Sequence, residues 1–155
     1  MSNILLQLDQ LSKSFGNLKA VDQLSLTLEK GNVYGLLGPN GSGKSTTLGM
    51  ILNVINPTSG SFSWYQGALT THQALKKIGA IIERPNFYPY MSAYQNLKLV
   101  CKIKEISHDS IERTLDIVGL LDRKDHFFDS FSLGMKQRLA IASALLNDPD
   151  ILILD

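Results

Sequence analysis

The chain is short of almost everything that would make it extreme. Its 155 residues include one cysteine, Cys101. That excludes an internal disulfide framework and fits a reducing compartment. Charge of one sign is not in excess: 15 Lys and Arg stand against 14 Asp and Glu, a formal net charge of +1. So even a balance gives no global attraction for nucleic acid. No apolar run is long enough to span a bilayer, and the opening MSNILLQLDQ lacks the charged and apolar regions of a signal peptide. Neither an internal repeat nor a low-complexity linker is visible. These absences predict a cytoplasmic chain that binds no nucleic acid. What remains, 44% hydrophobic and 19% charged residues, is a globular composition with enough length for one domain and a sizeable core.

Periodicity then places the elements. Ile4, Leu6 and Leu8 suggest a first strand. Leu24, Leu26 and Leu28 alternate with polar residues, the pattern of a half-buried strand. Lys30-Gly31-Asn32 reads as a turn leading into a second strand over Val33–Leu37, so that a hairpin is expected there. Leu48, Ile51, Leu52 and Ile55 recur at helical spacing, which predicts an amphipathic helix from Gly43 to Ile55, stopped by Asn56-Pro57-Thr58-Ser59-Gly60. Ser61–Tyr65 alternates again, with Phe62 and Trp64 on the core side. Ile78–Ile82 is a short apolar run. From Met91 the pattern turns helical. Ser92 and Gln95 fit a capping box, Ser107 is placed as the cap of a helix ending at Gly119, and a third helix runs from Ser132 to about Leu146. The closing ILILD reads as a buried strand. The expected fold class is α/β: an N-terminal antiparallel β part, a parallel core sheet and a helical insert. Residues 1–90 would form the β-rich core, 91–130 the helical subdomain and 131–155 a last helix and strand.

The chemistry is concentrated in GPNGSGKST: Gly38, Pro39, Asn40, Gly41, Ser42, Gly43, Lys44, Ser45 and Thr46. The spacing matches G-x-x-x-x-G-K-[ST], a phosphate-binding loop, with an apolar strand pattern before it and a helix pattern after it. Glycines let the backbone curl so that successive N–H groups face inward as an anion nest. The following helix adds the positive end of its dipole. Lys44 supplies a movable charge for terminal phosphates, and the Ser45 hydroxyl can ligate Mg²⁺. A plain glycine turn between strand and helix is the alternative, and it leaves the lysine and the two hydroxyls without a purpose.

Two carboxylates end apolar runs in the same way. Glu83 follows Ile78–Ile82, and Asp155 follows Ile151–Leu154. In open α/β sheets ligands gather at the carboxyl ends of strands, so three buried strands would converge on one site. Apolar residues followed by an aspartate form the pattern called Walker B, whose carboxylate holds Mg²⁺. Many buried strands also end in Asp merely to begin a turn, so this pattern gains its weight from the loop upstream.

With FSLGMKQRLAIASALLNDPDILILD in place, the chain resembles the nucleotide-binding subunit of an ATP-binding cassette (ABC) transporter. The likeness runs from about Leu5 to the last residue. It implies an ATPase that uses ATP and Mg²⁺, with Lys44 as its catalytic lysine and Ser45, Glu83 and Asp155 as metal contacts. Ser132, Leu133, Gly134 and Met135 occupy the start of the family's signature helix, which in a head-to-tail dimer contacts the nucleotide of the other subunit. Phe15 matches the aromatic that stacks on adenine, although it could instead be a core residue. The stretch IGAIIERPNFYPYMSAYQNL looks most like exporters of the bacitracin and lantibiotic self-protection kind, and in the family it meets a membrane-spanning permease. The resemblance thus implies a subunit held to the inner face of the cell membrane and coupled to export of a peptide antibiotic or similar amphiphile.

Several positions depart from the family pattern. Glu83 stands where most members carry glutamine, and it could tighten the metal or pair with Arg84. Leu133 replaces a usual glycine and Met135 a usual glutamine. The family continues beyond Walker B with a water-activating glutamate and a switch histidine, and His72, His108 and His126 do not match the latter. The chain therefore reads as truncated, with part of the core missing, and is expected to bind ATP–Mg²⁺ weakly with negligible turnover. A P-loop kinase and a non-transport ABC ATPase are the rival readings.

Overall fold

The computed structural model of the chain describes residues 3–82 and 86–155. They form two compact units, Met1–Leu75 and Lys76–Asp155.

In the first unit, β1 (Ile4–Phe15) and β2 (Leu18–Glu29) are antiparallel along their whole length, from Ile4 opposite Glu29 to Phe15 opposite Leu18. β3 (Ser59–Trp64) pairs with the other edge of β1, in the order β2-β1-β3. Leu6, Leu8, Leu11, Val21 and Trp64 are buried. Between β2 and β3 lies α1 (Lys44–Ile51), with Met50 and Ile51 buried. Buried Trp64 donates its indole N–H to Ile51 O at 3.2 Å. The bond satisfies a buried donor and one of the orphan carbonyls at the C-terminus of α1. α2 (Thr71–Lys76) follows.

The expected hairpin across Lys30–Asn32 does not form. Val33–Leu37 joins no ladder among the described residues, and Val33 and Leu37 are 100% and 91% exposed. The hairpin is instead β1–β2, turning at Gly16 and Asn17. A two-residue period identifies a strand-forming segment without identifying its partner, and β1 takes up β2 entirely. The helix after the loop is also shorter than the spacing predicted. Its carbonyl ladder ends at Leu52, and the N–H groups of Val54 and Ile55 both turn back to Gly49 O at 2.8 and 2.9 Å.

In the second unit, β4 (Ile78–Ile81) and β5 (Ile151–Leu154) form a parallel pair in register from Ile78 opposite Ile151 to Ile81 opposite Leu154. β5 is only half buried, with Leu152 and Leu154 exposed, so the expectation of a buried strand is corrected. Three helices, α3 (Ala93–Lys104), α4 (Ser110–Ile117) and α5 (Leu133–Leu145), enclose a core of Leu97, Cys101, Ile111, Leu115, Leu120, Leu139 and Phe128. The capping box at Ser92 and Gln95 is present in both directions. Ser107 does not cap α4. Asp109 holds that position without a side-chain bond, while the Ser107 hydroxyl accepts from Asp109 N–H and donates to its carboxylate. Gly79 lets α5 approach β4, since a Cβ there would meet Ala144 O at 2.3 Å.

Candidate functional site

The phosphate-loop sequence forms a tight curl ahead of α1. Ser42 N–H donates to Pro39 O at 3.2 Å. Gly41 and Gly43 both take left-handed backbone, with φ of 81° and 90°. At Gly43 the requirement is double, because a Cβ would also lie 2.2 Å from Ala20 O in β2. The loop thus sits directly on the β2 backbone, and only a residue without a side chain fits there.

Gly43 is the N-cap of α1 and supplies no side-chain cap. The positive end of the α1 dipole at this start favours negative charge, which an external anion can supply. Thr47 locks the start, since its N–H and its hydroxyl both donate to Gly43 O, at 2.8 and 2.9 Å. Lys44 folds back over the curl. Its ammonium donates to Gly38 O and Pro39 O, both at 2.9 Å. An ammonium has three donors, and these two bonds hold it at the mouth of the loop. Asn40, Ser42, Ser45 and Thr46 lie along the same curl, with Asn40, Ser42 and Ser45 exposed.

Phe15 ends β1 in the same unit. It is 50% exposed, so the core alternative for this ring is corrected. The Lys13 ammonium lies 5.0 Å from the ring centroid and donates to Asn56 O at 2.6 Å. The Asn56–Thr58 connection that follows α1 is bound to β1 twice more: Thr58 N–H to Ser12 O at 2.8 Å, and Ser14 N–H to the Thr58 hydroxyl at 3.0 Å. Sequence reasoning singled out Phe15 but not Lys13. The signal was the spacing, since residues two apart on a strand share a face.

In the second unit, Asp155 N–H donates to Ile81 O at 3.0 Å, carrying the β4–β5 ladder to the last residue. Asp155 therefore stands at the carboxyl end of its strand, as expected. Of the three strands expected to converge there, β4 and β5 pair and Val33–Leu37 is not a strand. Glu83 lies outside the described residues. Among those described, no three His, Cys, Asp or Glu side chains gather as a metal cluster.

Ser132 caps α5, its hydroxyl accepting from Met135 N–H at 3.3 Å. Leu133 and Gly134 are exposed beside it, and Met135 is half-buried against the helical core. The loop before α3 is organised by buried Asn96, which sequence reading passed over. Its carbonyl accepts from Tyr88 N–H at 2.9 Å, and its amide donates to Tyr88 O, Met91 O and Ser92 O at 3.0 to 3.2 Å. Tyr88 and Tyr90 are exposed on that loop, their rings 5.7 Å apart. Among the described residues, no helix is long and apolar enough to cross a membrane.

Comparison with known proteins places the chain among transport ATP-binding proteins in sequence and fold. A bacitracin transport ATP-binding protein, BcrA of Bacillus licheniformis, is 43% identical over 158 residues, covering 100% of this chain and 51% of that protein. A lantibiotic transport ATP-binding protein, SrtF of Streptococcus pyogenes, is 41% identical over 97% of this chain and 66% of its own length. The chain spans about half the length of the bacitracin transport relatives it matches. A solved ATP-binding subunit of an ABC transporter superposes with a TM-score of 0.87 at 28% identity, over 97% of this chain and 65% of the other. An ATP-binding cassette captured as a post-hydrolysis dimer with ADP and phosphate gives 0.84 at 26% identity, over 97% and 73%. The ABC transporter family matches residues 21–155, and the chain belongs to it.

Proposed function

We propose that the chain is the nucleotide-binding part of an ABC transporter ATPase, coupling ATP binding and hydrolysis to export of a peptide antibiotic or similar amphiphile. One observation carries this reading: Lys44 is held on Gly38 O and Pro39 O at the mouth of a curl that Gly43 alone permits. Phosphate oxygens are stronger acceptors than carbonyls. Nucleotide would therefore draw the ammonium from those two bonds onto its terminal phosphates, while the N-terminus of α1 takes the rest of the charge. Phe15 offers a ring face to the base.

Ser45, Glu83 and Asp155 are hard oxygen donors and suit Mg²⁺, which keeps several waters and needs few protein ligands. A metal held by such donors would supply charge neutralisation across the phosphates. Ser132, Leu133 and Gly134, exposed at the start of α5, are the surface assigned to the nucleotide of a second subunit in a head-to-tail dimer, with Met135 behind them. The loop braced by Asn96, carrying Tyr88 and Tyr90, is assigned to a membrane-spanning permease on the inner face of the membrane. The substrate class rests on the bacitracin and lantibiotic transport relatives.

Titration calorimetry with ATP and Mg²⁺ tests the reading. Lys44→Ala removes charge-assisted bonds to phosphate and should weaken ATP about 10- to 100-fold, with the urea midpoint little changed because the side chain is not in the core. Equal affinities in the two proteins would sink the proposal.

A further inference from the structure

The contact between Lys13 and Phe15 lies at the surface, where the aromatic ring is half exposed. It is nevertheless built with care. The ammonium is pinned to Asn56 O at 2.6 Å, and from that anchor it reaches over one face of the ring, 5.0 Å from the centroid. The anchor itself is fixed, since Thr58 N–H and its hydroxyl tie the same connection to Ser12 and Ser14 on either side of Lys13. The connection follows α1 after residues 52–55, so one short segment joins the phosphate-loop helix to the strand that carries Phe15.

From this geometry we infer that Lys13 is a positioning residue for base recognition. Resting on the nucleotide reading above, the inference concerns how the base half of the ligand is held. A cation over one face of an aromatic ring occupies that face and draws π density towards itself. The opposite face is then the one open to a planar base, and it repels an electron-rich purine less than an unperturbed ring would. Lys13 thereby selects which face of Phe15 stacks and favours an electron-rich purine on it. Because Lys13 is anchored through Asn56, the stacking ring keeps a set offset from the helix that holds the phosphates. Lys13 touches the aromatic ring and not the reacting atoms.

The test separates base from phosphates. ATP and inorganic tripolyphosphate, which has the charge without the base, are titrated into the whole chain and into Lys13→Gln, Lys13→Arg and Phe15→Leu, alone and combined. Lys13→Gln should weaken ATP on the order of two- to fivefold and leave tripolyphosphate unchanged. Lys13→Arg, which keeps the cation and a donor for Asn56 O, should restore ATP affinity. In the Phe15→Leu background Lys13→Gln should cost nothing further, since its partner is gone. Equal losses for ATP and tripolyphosphate would show that Lys13 acts on phosphates or on folding, and unchanged ATP affinity would show that it does not act at all. Either outcome overturns the inference while leaving the phosphate loop standing. If the unaltered chain binds neither ligand, the nucleotide reading fails, and this one with it.

Discussion

Gly41 and Gly43 share a left-handed backbone but not a surrounding, and the difference can be measured. An added methyl at Gly41 meets open space, whereas at Gly43 it meets Ala20 O at 2.2 Å. Gly41→Ala carries the backbone penalty alone, about 1–2 kcal/mol. Gly43→Ala adds a clash with a strand carbonyl that cannot rotate away, so its loss of stability should be clearly larger and ATP binding should go with it. Urea midpoints of the two variants check the order, and equal midpoints would mean that the loop does not rest on β2. The glycines and Lys44 were legible in sequence because their spacing is local. Lys13 became visible only with Phe15 and Asn56 in place, since Asn56 is far along the chain and meets β1 only after folding.

At the scale of elements, α3 shows what a helix can carry beyond its caps. Its last turns hold Cys101, fully buried in the helical core, and Lys104, whose ammonium donates to Ile78 O at 3.1 Å and Asn147 Oδ1 at 3.3 Å. Burial shifts the two titrations in opposite directions, each toward the other. Desolvation pushes the Cys101 thiol above its ordinary 9.0, with the nearby Lys104 charge opposing the shift. Desolvation also lowers Lys104 below its ordinary 10.5. For Cys101 the unfolded chain loses its proton first, so its contribution is complete below about pH 9 and falls as pH rises beyond that. For Lys104 the unfolded chain holds its proton longer, so stability rises as pH climbs from the folded value towards 10.5. The prediction is a pair of opposite trends in urea unfolding between pH 7.5 and 10.5. The advantage of the native protein over Cys101→Ala should shrink with pH, and its margin over Lys104→Gln should grow. Flat differences would refute the role of burial. Helix starts at Ser92 and Ser132 were readable from their own side chains. The start of α4 was not, because Ser107 spends its hydroxyl in a turn with Asp109.

For the whole molecule, the division into Met1–Leu75 and Lys76–Asp155 puts the glycine-rich loop, α1, Lys13 and Phe15 in the first unit, and α5 and Asp155 in the second. A ligand stabilises what binds it by mass action, by about 2.7 kcal/mol at a hundred times its dissociation constant. ATP without Mg²⁺ should therefore slow amide exchange in β1, α1 and residues 38–47, with much less change in α3 to α5. Segment-resolved hydrogen exchange would show this. Equal protection of both units would mean that they open as one, or that the nucleotide is held elsewhere.

Local patterns were enough to reveal the glycine-rich curl, the helix caps at Ser92 and Ser132, the apolar run of β5 and the family they imply. Each of these is written in residues within a few positions of one another, where backbone geometry and side-chain chemistry act together. Partnership between distant segments was not written that way. A period of two could not say that β2 belongs to β1 and leaves Val33–Leu37 outside any ladder among the described residues, nor that Leu152 and Leu154 of β5 stay exposed. Those outcomes, and the lysine braced over Phe15, depend on which surfaces meet after the chain has closed on itself. That is a competition among long-range contacts, and no short window of sequence contains it.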